Sequence, residues 1–326
     1  MRSNLKRTIL AACAVLMVVA TGAAHAQYPN KPIRLIVPFA PGGSSDIVSR
    51  SFAGEMTRIL GQSVVVEGKP GGAGNIAMQE VKGAAPDGYT IILGHVGTLA
   101  VNPAMFAKLP YDPLKDFVPI TLLAKVPSLL VVNSEKMNVK NLKELVEYAK
   151  KTPGALNYGS AGNDSSGHLA MAYIALTVGF TATHVPYKGA GPMMTDLLNG
   201  RLEATFTGAP PLLAHVKVGT LRPISVGTAK RSPAMPAVPT VAEQVYPGFE
   251  TSRWYGLMAP AGTPDAIIQK LPQAAAEAGK TAAVADRLKA EAAEPSTSTP
   301  KEFADFIKLE ALRWNDVVKK SGIKAD

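Results

Sequence analysis

Cysteine is almost absent from the 326-residue chain, since Cys13 is the only one. It lies in an N-terminal segment that we expect to be removed, so the mature protein would contain no disulfide and no catalytic thiol. The five histidines are scattered, and without cysteine partners they lack the spacing of a metal site. We therefore expect no metal and no other cofactor.

Charged residues are also few, at 18% of the chain, which excludes a disordered polyelectrolyte. The formal net charge is +9, and removal of the three basic residues near the N-terminus would lower it to +6. No run of basic residues remains after that, and the aromatic residues do not alternate with basic ones. We expect a mildly basic, solvated surface and no nucleic-acid partner.

Long hydrophobic stretches are absent except at the N-terminus, which has the pattern of a cleavable secretory signal. Basic residues end at Arg7, an apolar stretch covers Thr8–Ala20, and the small residues Ala24 and Ala26 suit a signal peptidase. The apolar stretch is too short for a stop-transfer helix. The mature chain should therefore begin at Gln27 and be exported to the periplasm.

Lipidation at Cys13 is a competing interpretation, because Leu10-Ala11-Ala12-Cys13 has the form of a lipobox. A lipoprotein signal places its hydrophobic segment before the cysteine. Here most of that segment follows Cys13, which favours cleavage after Ala26.

Short β-branched segments alternate with helical ones along the mature chain. The predicted strands are Ile33–Phe39, Ser63–Glu67, Thr90–Leu93, Val118–Leu123, Ser128–Val132, Leu156–Gly159, Thr183–Pro186, Ala204–Phe206, Leu221–Val226 and Trp254–Met258. The predicted helices are Asp46–Leu60, Asn141–Lys151, Ser166–Val178, Met193–Leu198 and Leu212–Val218, with a helical remainder after the last strand. This alternation predicts an α/β fold of mostly parallel sheets flanked by helices.

The economical arrangement is two α/β lobes, with the second inserted into the first. The predicted ranges are 1–26 for the signal peptide, 27–127 for the first part of lobe 1, 128–251 for lobe 2 and 252–326 for the second part of lobe 1. The last helix presents one apolar face, formed by Phe303, Ile307, Trp314 and Val318. That face must pack on elements already formed.

Two Gly/Ser loops carry the main functional signal, because each leads from a strand into a helix. Their candidate ligand-binding residues are Ala40, Gly43, Ser44, Ser45 and Asp46 in the first loop, and Ser160, Ala161, Gly162, Asn163, Asp164, Ser165 and His168 in the second. Free N–H groups and the positive end of the helix dipole favour an anion at such a loop. Neither loop contains Lys or Arg, and a Walker-type phosphate loop is absent, so a small carboxylate fits better than a nucleotide.

Each loop alone is also compatible with an ordinary capped turn. Asp46 is more typical of a carboxylate that stabilises a helix start than of a ligand contact. His168 fits a structural hydrogen bond better than catalysis. Asp164 would repel an anion unless its side chain points away or meets a cation.

Other motifs give weaker signals. The segment Gly72–Ala77 matches G-x-G-x-x-A, but it follows the second strand and lacks the acidic partner of a dinucleotide site, so we expect a loop at the rim of the cleft. No nucleophile, base and orienting group are found at the spacing of a hydrolase motif. An enzyme is therefore the weaker class.

A set of motifs in fixed order covers essentially the whole mature chain. They are Tyr28-Pro29-Asn30-Lys31-Pro32, Val37-Pro38-Phe39-Ala40-Pro41-Gly42-Gly43-Ser44-Ser45-Asp46, Lys69-Pro70-Gly71-Gly72, Pro86-Asp87-Gly88-Tyr89, Tyr158-Gly159-Ser160-Ala161-Gly162, His184-Val185-Pro186-Tyr187-Lys188-Gly189 and Ala259-Pro260-Ala261-Gly262-Thr263-Pro264. In these motifs the chain resembles Bug-type proteins, the solute-binding receptors of tripartite tricarboxylate transporters.

The resemblance implies a two-lobed periplasmic-binding-protein fold of the type II, Venus flytrap kind, without catalysis. It also implies that a carboxylate is held between the two loops. The sequence departs from the family pattern at Asp164, where Gly is expected, at Gly68, where Asn is expected, and at Thr207-Gly208, where an acidic residue is expected after Phe206. The altered second loop leaves the identity of the ligand open.

Three hypotheses follow. The first is a monomeric periplasmic receptor that passes a small carboxylate or dicarboxylate to membrane permease subunits. The second is an orphan or sensory binding protein with the same ligand chemistry and a sensor kinase as partner. The third, of a different class, is a periplasmic hydrolase that uses Ser160 or His168.

Overall fold

The computed structural model of the protein describes residues 28–39, 41–42, 44–162, 165–187, 190–290 and 292–321. The expected cleavage site before Gln27 and the lipobox lie outside these residues. The described strands are β1 (Ile33–Val37), β2 (Val64–Gly68), β3 (Thr90–His95), β4 (Phe117–Asn133), β5 (Asn157–Ser160), β6 (Thr183–Pro186), β7 (Ala204–Gly208), β8 (Leu221–Val226), β9 (Ser252–Pro260) and β10 (Glu294–Pro295).

Helices follow most of these strands and cover the sheet. The described helices are α1 (Ser44–Leu60), α2 (Asn75–Lys82), α3 (Asn102–Met105), α4 (Leu142–Lys151), α5 (Ser166–Val178), α6 (Ala190–Leu198), α7 (Leu213–Lys217), α8 (Val241–Gln244), α9 (Asp265–Gly279), α10 (Ala282–Ala290) and α11 (Pro300–Ser321). The predicted α/β class is confirmed. The short helices α3 and α8 and the strand β10 were not predicted.

The strands run in the order β2-β1-β3-β9-β4-β7-β5-β6, with β8 and β10 also paired to β4. The outer strands pair in parallel, as β1 does with β2 and β3, and as β5 does with β6 and β7. The described pairings of β4 and β9 are all antiparallel. The sheet is thus more mixed than the alternating pattern predicts, because these two strands join its two parallel parts.

Strand β4 is continuous where the sequence predicts two separate strands. Its first part pairs with β9 up to Pro127, and its second part pairs with β7 from Ser128 onward. Proline cannot donate a ladder hydrogen bond and is found at irregular positions in strands. Pro119 lies beside a register shift and Pro127 lies where β4 changes partners, so both prolines are accommodated without ending the strand.

The apolar face of the last helix packs as predicted. Phe303, Ile307, Trp314 and Val318 are buried in a core that also contains Trp254 of β9. The Trp254 indole meets Phe303 edge to face at 5.9 Å and donates from Nε1 to Glu310 Oε2 at 2.9 Å. Helix α11 is therefore fixed to the central strand β9. In the described part of the chain, no helix is both long and apolar enough to cross a membrane.

Candidate functional site

A cavity of about 540 Å³ lies between the two parallel parts of the sheet, within the size range of small-molecule sites. The start of α1 forms one wall, where Ser44 and Ser45 line the cavity together with Pro41 and Gly42. Gly42 has a φ of +93°, a conformation that suits glycine. Since the first N–H groups of a helix have no partner within the helix, this wall offers hydrogen-bond donors.

The opposite wall contains the start of α5. Ala161, Ser165 and Ser166 line the cavity there, and Ser165 caps the helix by accepting a hydrogen bond from the His168 N–H at 3.4 Å. The start of α6 contributes Ala190 and Gly191. The cavity is thus bordered by helix starts from both parts of the sheet, which is the arrangement that the two Gly/Ser loops predict.

Asp46 supports the first loop from behind and is not among the residues that line the cavity. Its carboxylate accepts from the Gly42 N–H at 3.1 Å and from Arg50 Nε at 2.8 Å. Both oxygens are therefore used to hold the loop. The structure favours the interpretation of Asp46 as a helix-start carboxylate over that of a ligand contact.

Ser160, Gly162 and His168 also lie behind the wall rather than on it. The fully buried Ser160 Oγ lies 2.7 Å from His184 Nε2 and 2.8 Å from the Gly162 carbonyl oxygen, to which it donates. The rings of His168 and His184 stack with a centroid distance of 3.8 Å. These contacts hold the second loop in place, and these three residues are not among those that line the cavity.

Burial sets the protonation of both histidines. It lowers the pKa of His168, and burial together with the nearby His168 lowers the pKa of His184 to about 4. Both rings are therefore neutral at pH 7. Four predicted site residues, Ala40, Gly43, Asn163 and Asp164, lie outside the described residues.

The floor of the cavity contains polar residues that the sequence reasoning missed. His95 ends β3, while Arg253 and Tyr255 come from β9, and all three line the cavity. Burial raises the pKa of Tyr255, and this rise is opposed by the charge of Arg253 and by side-chain hydrogen bonds with Arg253 and Ser44. The Tyr255 hydroxyl therefore lies between the first loop and Arg253. The position of His95 could have been inferred, because β1 and β3 are parallel and their carboxyl ends share one sheet edge.

The loop predicted at the rim of the cleft contributes Ala73 to the cavity wall. Asn102, also on the wall, donates from Nδ2 to the Ala73 carbonyl at 3.1 Å and to Asn75 Oδ1 at 2.8 Å. Ala73 has a φ of +54°, and these bonds fix the loop in that conformation. Among the described residues, no cluster of His, Cys, Asp and Glu has the arrangement of a metal site.

The sequence profile of the tripartite tricarboxylate transporter family receptor, TctC, matches residues 48–323. The chain belongs to this family. It is 38% identical to the protein BugT of Bordetella pertussis over 298 residues, which are 91% of each chain. The resemblance read from the motifs is therefore confirmed.

Solved structures of the receptor family are similar in fold. An R. palustris protein with adipate is 36% identical, with a TM-score of 0.84 over 91% of this chain and 99% of that chain. MatC from Rhodopseudomonas palustris with bound malate is 34% identical, with a TM-score of 0.80 over 89% of this chain and all of that chain. The predicted periplasmic-binding-protein fold is confirmed, and the family is one of solute-binding receptors.

Proposed function

We propose that the protein is a periplasmic receptor that binds a small carboxylate or dicarboxylate for uptake by a tripartite tricarboxylate-type transporter. One observation carries the proposal: the starts of α1 and α5 border the same 540 Å³ cavity from opposite sides. Each helix start presents N–H donors and the positive end of the helix dipole, and together they favour an anion. Relatives that hold adipate and malate support the ligand class.

The ligand contacts follow from the cavity wall. Ser44 and Ser45 would bind a carboxylate from the first loop, and Ala161 and Ser165 from the second. Ala40, Gly43 and Asn163 are proposed as further contacts on the strength of the family motifs, and Asp164 only because of its place in the second loop. The loops contain hydroxyl and backbone donors and no Lys or Arg, which suits an anion that must also be released.

The proposal also covers the processing, the two lobes and the partners of the protein. Cleavage before Gln27 would release the mature receptor into the periplasm. Lobe 1 would contain residues 27–127 and 252–326, and lobe 2 would contain 128–251, as a monomer that contacts permease subunits. An orphan receptor with a sensor kinase as partner would share the same ligand chemistry. The hydrolase hypothesis has little support, because Ser160 is buried behind the cavity wall.

A thermal-shift screen tests the proposal directly. The chain from Gln27 onward should be unfolded and refolded to remove any ligand that was carried through purification. Mono-, di- and tricarboxylates are then added one at a time. At least one should raise the melting temperature, because a ligand that binds only the native state stabilises it.

The blocking variant Gly191→Leu shows whether a hit binds in the cavity. Gly191 lines the cavity and a Cβ there meets no atom within 4 Å, so we expect the larger leucine side chain to occupy cavity space without a clash. Gly54→Leu is the matched control, because Gly54 on α1 also has open space around its Cβ and is not part of the described cavity wall. Binding lost in Gly191→Leu and kept in Gly54→Leu supports the proposal. Carboxylates that bind neither the parent nor Gly54→Leu would refute it.

A further inference from the structure

Arg253 lies on the cavity floor at the point where β4 changes partners. It is paired with Val126 of β4, and its Nη2 donates to Thr207 Oγ1 of β7 at 2.9 Å. The guanidinium lies against Gly208, where a Cβ would be only 3.3 Å from Arg253 Cδ and 3.4 Å from Nε. The cation is thus held in one place by both parts of the sheet.

Within the described part of the chain, no carboxylate forms an ion pair with Arg253, although other arginines such as Arg34 and Arg313 have such partners. The Arg253 Nε atom is buried and has no hydrogen-bond partner. A buried donor without an acceptor is costly, and more so when the donor belongs to a charged group. The hydroxyl groups that Arg253 does contact, those of Thr207 and Tyr255, are neutral.

His95 presents a second unpartnered atom at the same floor. The Gly97 N–H donates to His95 Nδ1 at 3.0 Å, so the neutral ring carries its proton on Nε2. Nε2 is buried and has no partner. Burial and the charge of Arg253 lower the pKa of His95 to about 3, which keeps the ring neutral at pH 7. His95 is therefore a fixed N–H donor.

We propose that Arg253 and His95 form a side-chain anion subsite that binds a second carboxylate of the ligand. This inference rests on the proposed function, in which the helix starts bind the first carboxylate. The Tyr255 hydroxyl lies between the two donor sets, since its side chain forms hydrogen bonds with both Ser44 and Arg253. A ligand with two carboxylates gives acceptors to both sets, whereas a monocarboxylate leaves the buried Arg253 Nε atom without an acceptor.

The test compares calorimetric affinities for pairs of ligands of equal chain length, namely succinate with butyrate and adipate with hexanoate. The parent protein should bind one dicarboxylate at least about 10-fold more tightly than its monocarboxylate partner, as expected for a hydrogen bond to a charged group. Arg253→Gln should remove this preference while changing monocarboxylate affinity by less than about 3-fold. Arg58→Gln, which removes an equal charge from the exposed face of α1, is the control.

A second pair of variants keeps Arg253 and changes its neighbour. Thr207→Asp would give the guanidinium an internal counterion and should lower dicarboxylate affinity about as much as Arg253→Gln does. Thr207→Val removes the hydroxyl at similar volume and should keep the dicarboxylate preference. Circular dichroism and melting temperature establish that each variant is folded.

Three results would overturn the subsite. They are an unchanged dicarboxylate preference in Arg253→Gln, an unchanged preference in Thr207→Asp, and a parent protein that binds each monocarboxylate as tightly as its dicarboxylate partner. In these cases carboxylate binding itself stands. Failure of every mono- and dicarboxylate to bind the parent would instead refute the proposed function, and the subsite with it.

Discussion

The rings of His168 and His184 lie parallel, with an interplanar angle of 1° and centroids 3.8 Å apart. Two neutral imidazoles can stack in this way, but two imidazolium ions at this distance repel each other. His184 also lies 2.7 Å from the Ser160 hydroxyl, which is bonded in turn to the Gly162 carbonyl. The pair therefore connects histidine protonation to the loop that borders the cavity.

Acid should destabilise the protein through this pair. The pKa of His184 is lowered from 6.5 to about 4 in the folded state, so the unfolded state binds more protons between these values. The stability contributed by neutral His184 is fully present above pH 6.5 and is lost as the pH falls towards 4. Melting temperatures between pH 7.5 and 4 should show a smaller decrease for His184→Gln than for the parent.

The control for the acid prediction is His215→Gln. His215 lies on α7 and has no part in the stacked pair. Its variant should follow the pH profile of the parent. A parallel shift of the His184→Gln curve, with no change in its pH dependence, would contradict the prediction.

Two serines on α1 should respond in opposite ways to alanine substitution. Ser44 lines the cavity, so Ser44→Ala removes one hydroxyl donor and should weaken carboxylate binding by about 1.5–3 kcal/mol. Ser49 is fully buried and its Oγ has no partner, so Ser49→Ala should leave affinity unchanged and keep or raise the melting temperature. Calorimetry and thermal unfolding on the two variants check this. Equal losses of affinity would argue against recognition by the loop.

Gly42 should be sensitive to substitution for a backbone reason. Its φ of +93° is unfavourable for other residues, although a Cβ would meet no atom within 4 Å. Gly42→Ala should cost about 1–2 kcal/mol of stability or displace the loop and weaken binding. Gly54→Ala, in the interior of α1, should instead stabilise the protein by about 0.5–1 kcal/mol. Urea unfolding of both variants measures the contrast, and a neutral Gly42→Ala would contradict it.

Ligand binding should bring the two proposed lobes together. The chain crosses between the two parts of the sheet near Val126 and Pro127 of β4 and near Ser252 and Arg253 of β9, and such short crossings absorb hinge motion. A saturating carboxylate should therefore lower the radius of gyration measured by small-angle scattering. Gly191→Leu, with the same ligand added, should show no change. Identical scattering of the parent with and without ligand would count against closure.

Much of the local structure could be predicted because the hydrophobic periodicity agrees with the positions of the residues that begin and end helices and strands. Helix α5 and the strands β6 and β8 have the predicted ends. The break predicted within β4 was wrong, because its prolines lie at a register shift and at a change of strand partner. Whether a proline is tolerated within a strand depends on how that strand pairs with strands distant in sequence, and the local sequence does not show this pairing.

The site was predictable where it depends on loops next to helix starts, as with Ser44 and Ser165. It was not predictable where it depends on residues brought together from separate strands. Arg253 precedes the predicted strand Trp254–Met258 and gives no local sign that it faces the cavity. The hydrogen bonds of Asp46 with Arg50 and of Ser160 with His184 depend on distances that the sequence does not fix, so the sequence could not show that these side chains are absent from the cavity wall.

The passage of β4 through both parts of the sheet has a consequence for the order of folding. The second part of β4 and the strands β5 to β8 lie in one contiguous stretch of chain, so their pairings close short loops. Strand β3 instead pairs with β9, as in the register of Ile92 with Met258, and must wait for a distant segment. A chain that emerges from the export channel N-terminus first would therefore complete the pairing of the second part of β4 with its neighbours before the pairing of β3 with β9. The strands β1 to β3 would remain an open edge until the last quarter of the protein arrives.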